Sequence, residues 1–134
     1  MRVTGPNFSF QAPSGWQVQR SAGKVAAARD SELVQVATFR LLKPYSDALF
    51  GRVEQELTTR MRQLARQTGG SVSDSRPVVA DGIRSHSYEV TVGDHVDQYT
   101  FVLRGRREFQ LLCRRKEAHG DEVCRQLLTS FATA

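Results

Sequence analysis

Apolar and polar residues alternate along three runs in the second half of the chain, Ser85–Val92, His95–Leu103 and Glu108–Arg115. Alternation is the period of a strand. Gly93-Asp94 separates the first two runs, Gly105-Arg106-Arg107 separates the last two, and Asp81-Gly82 follows a further run, Arg76–Ala80. Gly, Asn and Asp accept positive φ at low cost, so such pairs between alternating runs predict hairpins. With Gly93-Asp94 as a two-residue loop, Val90 lies opposite Asp97, Tyr88 opposite Tyr99 and His86 opposite Phe101. These six share one face, and Ser85, Ser87, Glu89, Gln98, Thr100 and Val102 share the other. For the last hairpin a two-residue loop at Gly105-Arg106 would put Glu108 and Gln110 among the aromatics. A three-residue loop sets Phe109 opposite Leu103, Leu111 opposite Phe101 and Cys113 opposite Tyr99. The second choice keeps the apolar face apolar, pairs Arg104 with Glu108 and Asp97 with Arg115, and is the register expected.

In the first half, Asn7–Phe10 alternates as a short strand, Pro13-Ser-Gly15 turns, and Trp16 restarts an extended run. Lys24–Arg29 and Leu33–Leu42 form a hairpin about Asp30-Ser31-Glu32. The second of these is apolar on both faces, which predicts a central strand. Lys43-Pro44-Tyr45 breaks it. Phe50, Val53, Leu57, Met61 and Leu64 then recur at helical steps, predicting a helix over about 46–67 that Gly69-Gly70 ends. A final helix over about 121–131 carries the stripe Val123, Cys124, Leu127, Leu128 and Phe131, with Asp121 as its expected N-cap. The order predicts an α+β fold: an antiparallel sheet of about six or seven strands flanked by a long central helix and a C-terminal helix. A chain of 134 residues is expected to form a single domain over 1–134.

Composition changes this picture little: 40% hydrophobic and 25% charged residues are ordinary for a globular chain. No stretch approaches a membrane span. The start, Met-Arg-Val-Thr-Gly-Pro, has no apolar signal region, which points to the cytoplasm. The formal net charge is +5 and the pI about 9.8, with arginine dominant beside Lys24, Lys43 and Lys116. That balance suits an acidic protein partner; nucleic acid is a less favoured one. Cys113 and Cys124 both face inward near one strand–helix junction. A disulfide fits, and so do two buried free thiols; without a mark of secretion, free thiols are favoured.

Catalytic chemistry is not legible. His86, His95 and His119 lack metal-ligand spacing, and the cysteines form no Cys-x-x-Cys pair, so no metal and no cofactor is expected. Ser85-His86-Ser87 places a base beside hydroxyls, yet neighbours on a strand point to opposite faces. His86 is better read as a histidine at the rim of the core. Cys113 lies on an apolar face, away from the cationic exposure a nucleophilic thiolate needs. The chain is therefore expected not to be an enzyme. Two surfaces remain for binding. One is the tip Arg104, Arg106 and Arg107, which serves either as a charged guard on a sheet edge or as a knob for an acidic partner. The other is the second sheet face with Gln98, Thr100, Gln110 and Arg114, polar with apolar islands.

Phe8-Ser-Phe10 with Pro13-Ser-Gly-Trp16, the long helix, the meander Tyr99-Thr-Phe-Val-Leu103 through Phe109-Gln-Leu-Leu112, and the close on Ser130-Phe131 together resemble the PsbP-like superfamily. That group includes the photosystem II PsbP subunit and the Ran-binding Mog proteins, and the chain looks like a small bacterial member. The resemblance implies an antiparallel sheet flanked by helices and a role in binding other proteins, with no shared catalytic centre. The absence of an export signal and of metal-coordinating residues argues against a photosystem role. A fainter likeness, in the Phe-containing strand and Gly-Trp, is to chaperones of type VI secretion effectors. It implies an exposed apolar groove or a homodimer. The function expected is a non-catalytic protein- or peptide-binding adaptor; the alternatives are a chaperone-like factor for a secreted effector, or a small-ligand-binding protein.

Overall fold

The computed structural model describes residues 1–134. In chain order the strands and helices are β1 (Arg2–Gly5), β2 (Phe8–Gln11), β3 (Gln17–Ser21), β4 (Lys24–Arg29), β5 (Glu32–Tyr45), α1 (Phe50–Thr68), β6 (Ser71–Ala80), β7 (Ile83–Val92), β8 (His95–Lys116), α2 (Glu122–Ser130) and β9 (Ala132–Thr133). They build an antiparallel six-stranded sheet in the order β3-β4-β5-β8-β7-β6 and a small sheet β1-β2-β9. The fold is α+β with a long central helix and a C-terminal one, as the pattern predicts. The small sheet was not anticipated beyond β2, because Arg2–Gly5 and Ala132–Thr133 are too short to show a period.

Local chemistry sets the boundaries. Asp81 and Gly82 both have positive φ (52° and 71°), the type I′ requirement, and join Ala80 to Ile83. Gly93 alone is positive (φ 58°) in the loop joining Val92 to His95, the type II′ pattern. Gly69 adopts the left-handed conformation (φ 76°) and its N–H caps α1 by reaching the Ala65 and Arg66 carbonyls. Pro77 cannot donate to a ladder and lies on β6, the outermost strand.

β8 is a single 22-residue ladder element that doubles back on itself. Its first arm pairs with β7 (His86 with Phe101, Tyr88 with Tyr99, Val90 with Asp97) and its second with β5 (Val36 with Leu111, Val34 with Cys113). A straight strand would hold Asp97 and Arg114 about 55 Å apart, yet their side chains form an ion pair at 2.7 Å. The Glu117 N–H also donates to the Asp94 carbonyl at 2.7 Å. That offset puts Arg104 opposite Arg107 and leaves Gly105-Arg106 as a two-residue loop, with Gly105 at φ 58° in the type II′ position.

The three-residue loop is therefore corrected, and with it the expected core. Phe101 and Phe109 lie on opposite faces. Phe101, Tyr88 and Leu103 pack under Leu57 and Met61 of α1. Phe109, Leu111, Cys113 and Val102 pack against Phe8 and Phe10 of the small sheet and against Leu127 and Phe131 at α2. The pairs Arg104–Glu108 and Asp97–Arg115 give way to Arg104–Arg107 and Asp97–Arg114. Burying a Leu or Met side chain contributes about 1.5–3 kcal/mol, so Leu57 and Met61 hold α1 to the sheet. α1 contacts β6 and β7. The same face of the other half of the sheet lies open, and Gln17, Gln19, Lys24 and Phe39 are exposed there.

Cys113 and Cys124 are joined in a disulfide with Cα atoms 5.5 Å apart, which ties α2 to β8. The preference for free thiols is corrected. The residues between them fold into the end of β8 and a short turn, so both sulfurs reach one point of the core.

Candidate functional site: an arginine-lined cleft

β5 and the two arms of β8 bring four arginines together. Arg40 is the cross-strand partner of Arg107, Arg107 faces Arg104 across the hairpin, and Arg106 is in the loop. With Phe109, Thr133 and Ala134 they line a cleft of about 560 Å³. Sequence reasoning found Arg104, Arg106 and Arg107 but missed Arg40, whose place depends on the pairing of two strands far apart in sequence.

β5 bulges here. Arg40 pairs with Arg107 and the next registered pair is Tyr45 with Gly105, so Leu41–Pro44 loop out opposite Arg106 alone. The Arg106 guanidinium donates to the Leu42 carbonyl at 2.9 Å and pins the bulge, while the Leu42 side chain is 96% exposed. Arg104 donates to Thr133 Oγ1 at 3.1 Å. Asp81 is already engaged: its Oδ2 accepts from the Thr133 N–H at 2.9 Å and the Thr133 hydroxyl at 2.7 Å. Those two bonds hold the Asp81 carboxyl below the usual carboxylate range, and the Arg104 charge adds to the effect. None of the four arginines forms an ion pair.

The other expected contact residues lie elsewhere. Gln98 and Thr100 are buried on the face of the sheet opposite α1, and Thr100 shares a hydrogen bond of 3.2 Å with Ser87. Gln110 and Arg114 point to the α1 side of the sheet. Gln110 donates to Glu108 at 2.6 Å, and Arg114 grips Asp97 through two bonds of 2.7 and 3.0 Å. That grip raises the Arg114 pKa. The expectation that Gln98, Thr100, Gln110 and Arg114 share one sheet face is corrected: two are enclosed, and two serve ion-pair or hydrogen-bond partners on the opposite side.

His86 is buried, at 2% exposure, and its ring stacks on Phe50 of α1 at 4.0 Å between centroids. Arg84 sits 3.7 Å over the same Phe50 ring. Neither ring nitrogen of His86 has a hydrogen-bond partner, and Glu54 Oε2 lies 3.9 Å from Nδ1. Desolvation lowers the His86 pKa, the Arg84 charge lowers it further, and Glu54 opposes both. Ser85 and Ser87 lie on the other face, and the Ser85 hydroxyl donates to the Ile83 carbonyl. The unfolded chain then binds the proton more readily than the fold does. Stability is full above the unfolded value of about 6.5 and falls as pH drops below it toward the lower folded value. Urea unfolding at about pH 7.5 and about pH 5.5 is expected to show this loss in the wild type and to flatten it in His86→Phe. His86→Ala is expected to cost about 2 kcal/mol.

Against known proteins, no family model matches the sequence and no curated protein does. Solved structures do match the fold. The solution structure of cyanobacterial PsbP (CyanoP) from Synechocystis sp. PCC 6803 superposes with a TM-score of 0.75 at 15% identity, covering 100% of this chain and 92% of that one. A crystal structure from Bacteroides thetaiotaomicron VPI-5482 superposes with a TM-score of 0.59 at 11% identity, covering 99% of this chain and 48% of that one. This chain thus spans about half of the Bacteroides protein. The fold is PsbP-like. At these identities the likeness is one of fold alone.

Proposed function

We propose that this PsbP-like chain is a non-catalytic binding domain that docks an acidic protein or peptide at its arginine-lined end. One observation carries the proposal: four arginines converge on a cleft in which none has an ion-pair partner. Exposed cations of this kind steer association and set its salt dependence more than they set fold stability. Gln98 and Thr100 drop out of the contact surface, and Arg40 enters it. A second reading, a chaperone-like factor that holds an apolar segment, is favoured by a groove of about 280 Å³ between α1 and the β5 bulge. Leu41, Pro44, Tyr45, Leu49, Val53 and Leu57 line it. No helix is long and apolar enough to cross a membrane. The disulfide supports residence in an oxidising compartment rather than the cytoplasm.

The test is cross-linking in the native host, followed by affinity measurement on the captured partner at two salt concentrations. Replacing Arg40, Arg106 and Arg107 together with serine is expected to weaken binding about tenfold or more and to flatten its salt dependence. Arg104 is left in place because it also bonds Thr133. An arginine variant that binds normally, beside a Val53→Glu variant that fails to bind, would move the site to the groove.

A further inference from the structure

We infer that the row Arg40–Arg107–Arg104 is a site for a phosphoryl-type oxyanion carrying two or more negative charges. The inference rests on the arginine-lined end being the binding surface, and it specifies the group that enters it.

The first support is electrostatic. Like charges directly opposite on neighbouring strands are destabilising. Here Arg40 faces Arg107 on the next strand, and Arg107 faces Arg104 across the hairpin, so two such pairs stand side by side. Elsewhere on this sheet the chain neutralises an arginine, as Asp97 does for Arg114. At the cleft it does not. Asp81, whose carboxyl feels the Arg104 charge, has its Oδ2 turned to Thr133.

The second support is the inventory of donors. The Arg40 and Arg107 side chains make no hydrogen bond within the chain, so each presents its full fork of N–H donors. Arg104 and Arg106 are each held by one bond, to Thr133 Oγ1 and to the Leu42 carbonyl, which fixes them while leaving donors free. A single carboxylate would engage one fork and leave the row strongly positive. A phosphoryl group offers several oxygens and a charge near −2, which suits two forks at once. The third support is shape. A concave cleft of about 560 Å³ admits a phosphate or pyrophosphate and its attached group, whereas a flat bilayer would meet only its rim.

The test is thermal unfolding and calorimetric titration at constant ionic strength with inorganic pyrophosphate and with phosphoserine, chloride serving as the reference. Sedimentation with phosphatidylglycerol vesicles is a separate arm. Pyrophosphate is expected to raise the wild-type Tm by several degrees with a Kd below about 1 mM. Arg107→Ser is expected to lose that shift while keeping or raising the ligand-free Tm, because it removes two repulsive pairs. Arg62→Ser, on the exposed side of α1, is expected to retain the shift. Absence of a wild-type shift, a shift that survives in Arg107→Ser, or binding to vesicles alone would each overturn the inference. Loss of the protein partner in the Arg40, Arg106 and Arg107 variant without any pyrophosphate effect would end this inference and leave the partner reading standing. A pyrophosphate effect beside normal partner binding would do the reverse.

Discussion

Phe109→Ala is expected to destabilise the protein by about 3–5 kcal/mol, the usual cost of emptying a buried phenylalanine site. At this chain length that lowers Tm by roughly 10–20 °C. Phe109 is the hinge of the second core. Its ring meets Phe8 of the small sheet edge-on at 6.3 Å and Phe131 at the end of α2 at 5.4 Å. Neither neighbour can fill the space alone, because each is anchored in a different element. The location of the damage is as informative as its size. Hydrogen exchange should show lost protection in α2 and β2, with α1 kept. Phe101→Ala should do the opposite, since Phe101 packs with Tyr88, at 6.1 Å between ring centroids, beneath Leu57 and Met61. If Phe109→Ala exposed α1, both phenylalanines would lie on one face and the two-residue loop would be wrong.

That contrast shows how far the sequence could be read. The turns were legible because positive φ is chemically selective: Asp81-Gly82, Gly93 and Gly69 sit where few other residues fit. The register from His86–Phe101 to Val90–Asp97 followed directly. The next hairpin misled because both faces of the sheet are covered. Where α1 packs on one side and the small sheet with α2 on the other, an apolar set exists on each face. Gathering all aromatics on one side then stops being a valid criterion. Gln110 and Glu108 lie on the α1 side, bonded to each other. The binding surface was half legible. The tip arginines stood out as a cluster in sequence, whereas Arg40 joins them only through the β5–β8 ladder. The exposure of Leu42 comes from a bulge, and no periodicity announces one. Gln98 and Thr100 misled in the opposite sense, as polar residues that are buried on the face opposite α1.

Removing the disulfide by Cys113→Ala with Cys124→Ala is expected to cost about 3 kcal/mol in the loop-entropy account, and so to lower Tm by roughly 10 °C. The bond closes a loop with a sequence separation of 11, so the unfolded chain gains freedom when it is absent. The native state loses a tether as well. α2 is only nine residues long, too short to persist without its contacts. Its remaining grip comes from Leu127, the partly buried Val123 and Leu128, Phe131 at its end and the Gln11 N–H that donates to Ser130 Oγ. Both cysteines are 1% exposed, so a reductant should act slowly on the folded protein and quickly once unfolding begins. Calorimetric scans with and without reductant should therefore give two different Tm values in the wild type and one shared, lower value in the double variant. A thiol titration of the denatured, unreduced protein that finds two free thiols would overturn the bond. It would also remove the argument for an oxidising compartment.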